Sequence, residues 1–532
     1  YRDGSERENN GDTPPNPSDF ESHAVVATAT YKKDALTLDA TVDLYHSDRF
    51  TDGDSAEGSF FGGLLVNDVV SLDNERERIR FSLGGHYENA GEFAFFDKLS
   101  AQAYWQESTD ETLNVQIGQT QFGPFPSPRN RTNDITYTTE IIGLDTLAEK
   151  NLESGLGNHV IRYGFEVSYS EVTSEFLRTD NNLDGTQTLT DRIGIAPSDV
   201  TRFGIFLNDE ITLGADQKWV ITPGLRFDHY SVDPENTEAF LDRTIPFGQT
   251  EPVAAEDYEN DAFAPSLSIL YNINENLNVY GIYGHGIRNP SAEELNGVFT
   301  HGFDFIVVPN PELTEETSDS FEIGVQGSYS EHSFQVAGFY NLYEDFLEAN
   351  VLIEDNPAPL ADVRTTVNLQ EVTIYGWEAR WDWIAGKSRG QFEGVEAGLS
   401  ASWTKGERDD IDQPLNTIDP WKGVAYLGYQ SPDDQWGARL TGTYIGEKNE
   451  DDIDQTTQAG EIDPLDSVFT LDFTAFYRFN DNWAIRGGIN NITDEEYLLW
   501  STARRGGGHG GDSTGIYTQP GTNFFLALSA DF

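Results

Sequence analysis

Hydrophobic residues recur at every second position over most of this chain. In 35–46, Leu36, Leu38, Ala40, Val42 and Leu44 fall on one side, and Thr37, Asp39, Thr41, Asp43 and Tyr45 on the other. Segment 158–170 sets Ile161, Tyr163, Phe165, Val167 and Tyr169 against Arg162, Gly164, Glu166 and Ser168. Segment 467–479 sets Phe469, Leu471, Phe473, Ala475, Tyr477 and Phe479 against Thr470, Asp472, Thr474 and Arg478. A period of two belongs to β-strands with two unlike faces. The charged residues stand in the middle of long strands. A soluble sandwich turns such a face to bulk water, whereas a membrane barrel turns it to a wet lumen and gives the apolar face to lipid.

Strand number and loop rhythm decide between the two. The pattern predicts about nineteen strands, with ends good to a few residues: 24–31, 35–46, 76–88, 97–107, 131–147, 158–172, 199–213, 218–230, 261–272, 277–288, 317–329, 332–345, 367–384, 394–405, 420–430, 435–446, 466–479, 482–491 and 521–532. Short turns such as Lys32-Lys33-Asp34, Ala215-Asp216-Gln217, Ser330-Glu331 and Asn480-Asp481 alternate with long connections such as 47–75, 173–198, 231–260, 289–316 and 492–520. One rim of turns and one rim of loops is the outer-membrane arrangement, with the turns periplasmic and the loops extracellular. The last strand carries Phe524, Leu526, Leu528, Ala530 and Phe532 on one face. The fold class read from this pattern is all-β, a large antiparallel transmembrane β-barrel. An odd count of strands calls for an odd number more, to reach an even total.

Composition agrees and narrows the function. The hydrophobic fraction is 37% and mean hydropathy −0.50, and no apolar run approaches the length of a membrane helix. Barrel strands hide apolar residues in alternation, so bulk hydropathy misses them. Aromatics reach 12%, with 33 Phe, 23 Tyr and 50 Gly, which suits strands, turns and interfacial girdles. Cysteine and methionine are absent, which excludes a disulfide framework and thiolate chemistry. The opening Tyr1-Arg2-Asp3 is no signal peptide, and the chain reads as starting inside a longer frame. A net charge of −58 argues against nucleic-acid binding and fits a hydrated acidic surface that attracts cations or a basic protein. No Gly-x-Ser-x-Gly elbow, Walker loop or His-Glu-x-x-His occurs, and the chain reads as a non-enzyme.

Five segments in order resemble TonB-dependent receptors, and their haemoglobin/haem/transferrin/lactoferrin branch in particular. They are Pro223-Gly224-Leu225-Arg226-Phe227-Asp228-His229-Tyr230; Gly284 to Pro290 with Ser291-Ala292-Glu293-Glu294-Leu295; Asn310-Pro311-Glu312-Leu313 with Glu316-Thr317-Ser318 and Phe321-Glu322-Ile323-Gly324; Leu415-Asn416-Thr417-Ile418-Asp419-Pro420-Trp421-Lys422; and Asn490-Asn491-Ile492-Thr493-Asp494-Glu495-Glu496-Tyr497. Trp500, Arg504 and Pro520-Gly521 follow in register. Two boxes depart from the family pattern: Ile287-Arg288-Asn289-Pro290 stands for Phe-Arg-Ala-Pro, and Asn310-Pro311-Glu312-Leu313 for Asn-Pro-Asn-Leu. The resemblance implies a barrel of 22 strands, of which residues 1–532 hold all but the first three, with Tyr1-Arg2-Asp3 as the tail of the third. An N-terminal plug, which contacts TonB, and a signal peptide would precede this chain. It also implies a Gram-negative outer-membrane receptor importing haem, from haemoglobin or another haemoprotein, as an iron source. A receptor for a ferric siderophore or other nutrient, and a surface protein-binding barrel, are the alternatives.

Histidines carry the haem expectation. In this branch an extracellular histidine between the second and third boxes ligates haem iron; here that histidine is His301, flanked by Phe299, Phe303 and Phe305. Neutral imidazole is a good axial ligand, and the rings suit a porphyrin face. A loop histidine among aromatics is also an ordinary packing residue. His509, in the glycine-rich run after Arg504 and Arg505, is the candidate second ligand, and Arg504 is placed to pair with haem propionates. Haem is cargo in this reading, not a resident cofactor. His46, His229 and His285 are weaker candidates near extracellular strand ends; His86, His159 and His332 fall toward the other rim. Separately, Asp180, Asn182, Asp184 and Asp191 match an EF-hand spacing for calcium, with Asp where the twelfth position usually holds Glu. The runs at 409–413 and 451–455 read as solvated acidic repeats or as contacts for a basic partner.

Overall fold

The computed structural model describes residues 2–530 except 61–62, 64, 90, 92, 122–125, 182–184, 215, 245–251, 302–304, 355–361, 386–391, 410, 456–461 and 505–512. Twenty-four strands join one sheet. Five of them are short, between two and four residues. The other nineteen follow one another around the wall, each antiparallel to the next, from Ser18–Lys33 and Leu36–Asp52 through to Trp483–Asn490 and Asn523–Ala530. Every strand read from the alternation is present, and most run farther than the pattern shows. Gly157–Asn181 and Gln187–Leu213 hold 25 and 27 residues, because their upper halves lose the apolar beat while keeping the hydrogen-bond ladder.

The two faces differ as the sequence requires. Ile205, Leu207, Phe263, Ile323, Leu427 and Leu526 are all more than half exposed. A soluble monomer does not leave so continuous an apolar surface in water, whereas lipid accepts it. No helix of the described residues is long and apolar enough to cross a membrane. The opposite face holds ion pairs, including Arg226 with Glu166 across the sheet and with Asp228 along its own strand, and Arg439 with Glu396. Three tyrosines on this face, Tyr104, Tyr280 and Tyr426, lie flat across glycines directly opposite them, Gly143, Gly324 and Gly398.

Turns on one rim are tight: Asp34 and Gln217 adopt φ of 50° and 49°, the left-handed conformation that tight turns demand and that aspartate tolerates. Most buried residues gather at the other rim, where long connections fold over and into the mouth. The largest cluster joins Val172, Val200, Tyr230 and Val232 of the wall to Ala292, Leu295 and Leu313 of segment 289–316.

The ends of the sheet approach each other at this loop rim. Arg2–Ser5 pairs antiparallel with the top of Ser18–Lys33. Beyond it, Asn9 donates to the carbonyls of Gly515 and Ile516, and Asn10 donates to Thr518 Oγ1 and to the carbonyl of Asp494. Among the described residues no ladder joins Ser18–Lys33 to Asn523–Ala530.

Candidate functional site

Segment 289–316 crosses the mouth, and its box residues anchor it there. Ser291 and Glu294 close a capping box on the short helix Ala292–Asn296, satisfying amide groups that a helix start leaves open. Leu295 is 1% exposed within the inner-face cluster. Tyr230 donates to the carbonyl of Pro290 at 3.1 Å. Asn289, where the family pattern has alanine, accepts from Tyr258 and Asn260 at 3.2 and 2.7 Å, so the departure adds polar ties to the wall. On the far side, Asn310 donates to the carbonyl of Thr366, and Glu316 accepts the amide of Leu347.

Between these anchors the chain makes a hairpin. Phe299–His301 pairs with Phe305–Val307, which pairs in parallel with residues 362–364. Val298 donates to the carbonyl of Gly194 at 2.7 Å. Ile306, Val308 and Val363 bury together beneath it. Phe299 is 54% exposed, its ring 6.1 Å from Phe305, and the Arg364 guanidinium lies 4.9 Å over Phe305. An aromatic, cationic edge is therefore presented at the mouth, with His301 at the end of the first strand of the hairpin. Phe303 lies outside the described residues.

The second loop system is built on Asn416. Its amide donates to the carbonyl of Asp454 and accepts the amide of Asp454, at 2.7 and 2.8 Å, while its carbonyl accepts the indole of Trp500 at 2.8 Å. Lys448 donates to the carbonyl of Ile418 and lies 5.0 Å over the Trp500 ring. Burial pushes the Lys448 ammonium below its ordinary value, against the pull of Asp452 and Asp419. Asp454 is 1% exposed beside Arg408, so its acidic run is not a solvated repeat throughout. Arg504 follows the helix Trp500–Ala503 and is half-buried. His509 lies outside the described residues. The hairpin and the Arg504 helix thus belong to separate clusters.

Other candidates take different places. Asp180 accepts from Arg131 and Arg178 at 3.0 and 2.7 Å, and Asp191 lies opposite Leu177 three pairs lower on the ladder. Asn182 and Asp184 lie outside the described residues. His46, His229 and His285 share the face of Leu44, Phe227 and Tyr283, away from the lumen. His159 is held by Asp209 and Ser154, and His332 stacks on Trp381 and Trp383.

Comparison with known proteins follows the same lines. The family model for TonB dependent receptor-like β-barrels matches residues 3–492. Hemoglobin-haptoglobin utilization protein B of Neisseria meningitidis is 26% identical over 326 residues, covering 56% of this chain and 39% of the relative. Lactoferrin-binding protein A of the same species is 28% identical over 299 residues, covering 50% of this chain and 30% of the relative. The chain therefore spans well under half of these relatives. Among solved structures, the copper transporter OprC superposes at a TM-score of 0.74, with 15% identity over 100% of this chain and 74% of that one. The hemophore receptor HasR of Serratia marcescens, solved with its hemophore HasA and heme, superposes at 0.65, with 15% identity over 100% of this chain and 75% of that one. At such identities these structures speak for the fold alone.

Proposed function

This chain belongs to the TonB-dependent receptor β-barrel family of the outer membrane, and we propose that it forms the barrel of a receptor that takes haem from a haemoprotein and passes it inward as an iron source. Receptors for haemoglobin-haptoglobin and lactoferrin among its relatives support the substrate class. The observation that carries the reading is the hairpin 299–307, which is stitched to two long strands and sets the exposed Phe299 next to Phe305, itself under the Arg364 guanidinium, at the mouth.

In this reading His301 supplies imidazole to the haem iron from one loop system and His509 supplies the second from the other. Phe299 and Phe303 pack on the porphyrin, and Arg504 pairs with a propionate. Two loop systems of independent construction suit a ligand that must be gripped and then released. Coupling to TonB would pass through a plug domain preceding these residues. The possible calcium loop at Asp180, Asn182, Asp184 and Asp191 adds nothing to this function, since two arginines already engage Asp180.

The test is His301→Ala in the full-length receptor. Haem titration is expected to show a weakened complex and a shifted Soret band, with poor growth on haem as sole iron source. Unchanged affinity and growth would remove His301 and favour the siderophore reading.

A further inference from the structure

The strand expected to begin at Ala24 begins at Ser18, and the extra pairs bring His23 opposite His46. His46 in turn lies opposite Glu77, and Glu75 is two pairs above on the same face, opposite Asp48. These residues share the face of Val25, Leu44 and Ile79, directly above the apolar band. They therefore stand on the outward wall, remote from the haem reading of the mouth.

His46, Glu75 and Glu77 are spaced as ligands to a common ion. His46 Nδ1 is 3.3 Å from Glu77 Oε1 and 3.6 Å from Glu75 Oε1. Ligand atoms from all three residues lie within 4.8 Å of one another. The barrel's hydrogen-bonded histidines are tighter: His159 to Asp209 and His229 to Asp261 are each 2.8 Å. A tetrahedral ion with ligands at ~2.0–2.1 Å sets its donors about 3.4 Å apart. The His23 and His46 rings are 6.5 Å apart and inclined by 26°. Both border a hollow of about 260 Å³ shared with Glu21 and Asp48, which leaves room for water beside the ion. Imidazole together with carboxylate favours zinc-class ions over calcium or magnesium.

We propose that His46, Glu75 and Glu77, completed by His23, form a divalent transition-metal site of the zinc class on the outer wall of the barrel. The ion would bond three consecutive strands, Ser18–Lys33, Leu36–Asp52 and Leu65–Glu88.

The experiment is zinc titration of the full-length protein in detergent, without a histidine tag and after chelator treatment, in competition with a chromophoric chelator. Cobalt serves as the spectroscopic substitute. One strong site is expected, with a tetrahedral cobalt spectrum. His46→Ala should weaken it by at least about tenfold, the loss that even an outer partner of a zinc ligand brings. Glu77→Gln should do the same without removing the ring contact to His23. His229→Ala should leave it unchanged. Zinc binding unaffected by His46→Ala and by Glu77→Gln, or lost equally in His229→Ala, overturns the site.

Discussion

At the scale of single residues, the box motifs turn out to be scaffolding. Asn416 shows how. Its side chain satisfies both backbone groups of Asp454, so Asn416→Ala leaves two nearly buried polar groups without partners, at about 1–3 kcal/mol. Hydrogen exchange in 448–455 is expected to quicken by roughly tenfold or more at constant pH, while wall strands keep their protection. Lys448 gives a pH signature. Its folded-state pKa is lowered by burial, so between that value and the ordinary lysine value the unfolded loop binds more protons than the folded one. Loop stability should therefore rise with pH across that window, and Lys448→Met should abolish the rise. Trp500 fluorescence against denaturant, at several alkaline pH values, reads both. None of these contacts was visible in the sequence. The motifs point to these residues, but a loop's partners depend on chain brought from 30 to 84 positions away. His23 escaped for a related reason: the alternation fades above Ala24, and only the ladder extends it.

At the scale of elements, the strands were the most legible part. Period-two patterning survives wherever one face meets lipid, and the nineteen long strands follow it. It is silent in the upper halves, where both faces meet water. It is also silent on cross-strand partners, which set the packing of tyrosine over glycine. A Cβ on Gly324 would stand 2.4 Å from Cζ of Tyr280, whose hydroxyl donates to Glu322. Gly324→Ala should cost about 1–3 kcal/mol by forcing the ring off its seat. Combining it with Tyr280→Ala should cost less than the two singles together, because the clash is shared. Urea unfolding followed by heat-modifiable gel mobility measures the cycle.

At the scale of the molecule, the alternation of short turns and long loops makes the orientation legible in the sequence. The chain has no cysteine, so single reporters are unambiguous. Leu189→Cys, in the upper part of Gln187–Leu213, should react with a membrane-impermeant maleimide on intact cells. Ile205→Cys, about 50 Å lower along the same strand by its rise per residue, should stay unlabelled beneath the lipid. Equal labelling would break the assignment of the apolar face to the bilayer.

The length of those strands has a consequence for encounter. A strand of 27 residues is roughly 90 Å long, and at a tilt near 40° it stands roughly 70 Å tall against an apolar band of roughly 25 Å. Most of the remainder rises beyond the loop side of the membrane, roughly 40 Å clear of it. The Debye length at physiological salt is about 8 Å, so a partner meeting the tips is screened from the charge of the lipid surface. What it feels is the barrel's own field, set by a formal charge of −58, which draws basic surfaces inward. Association with a basic partner should therefore slow with added salt, and slow equally whether the receptor is held in neutral detergent or in strongly anionic lipid.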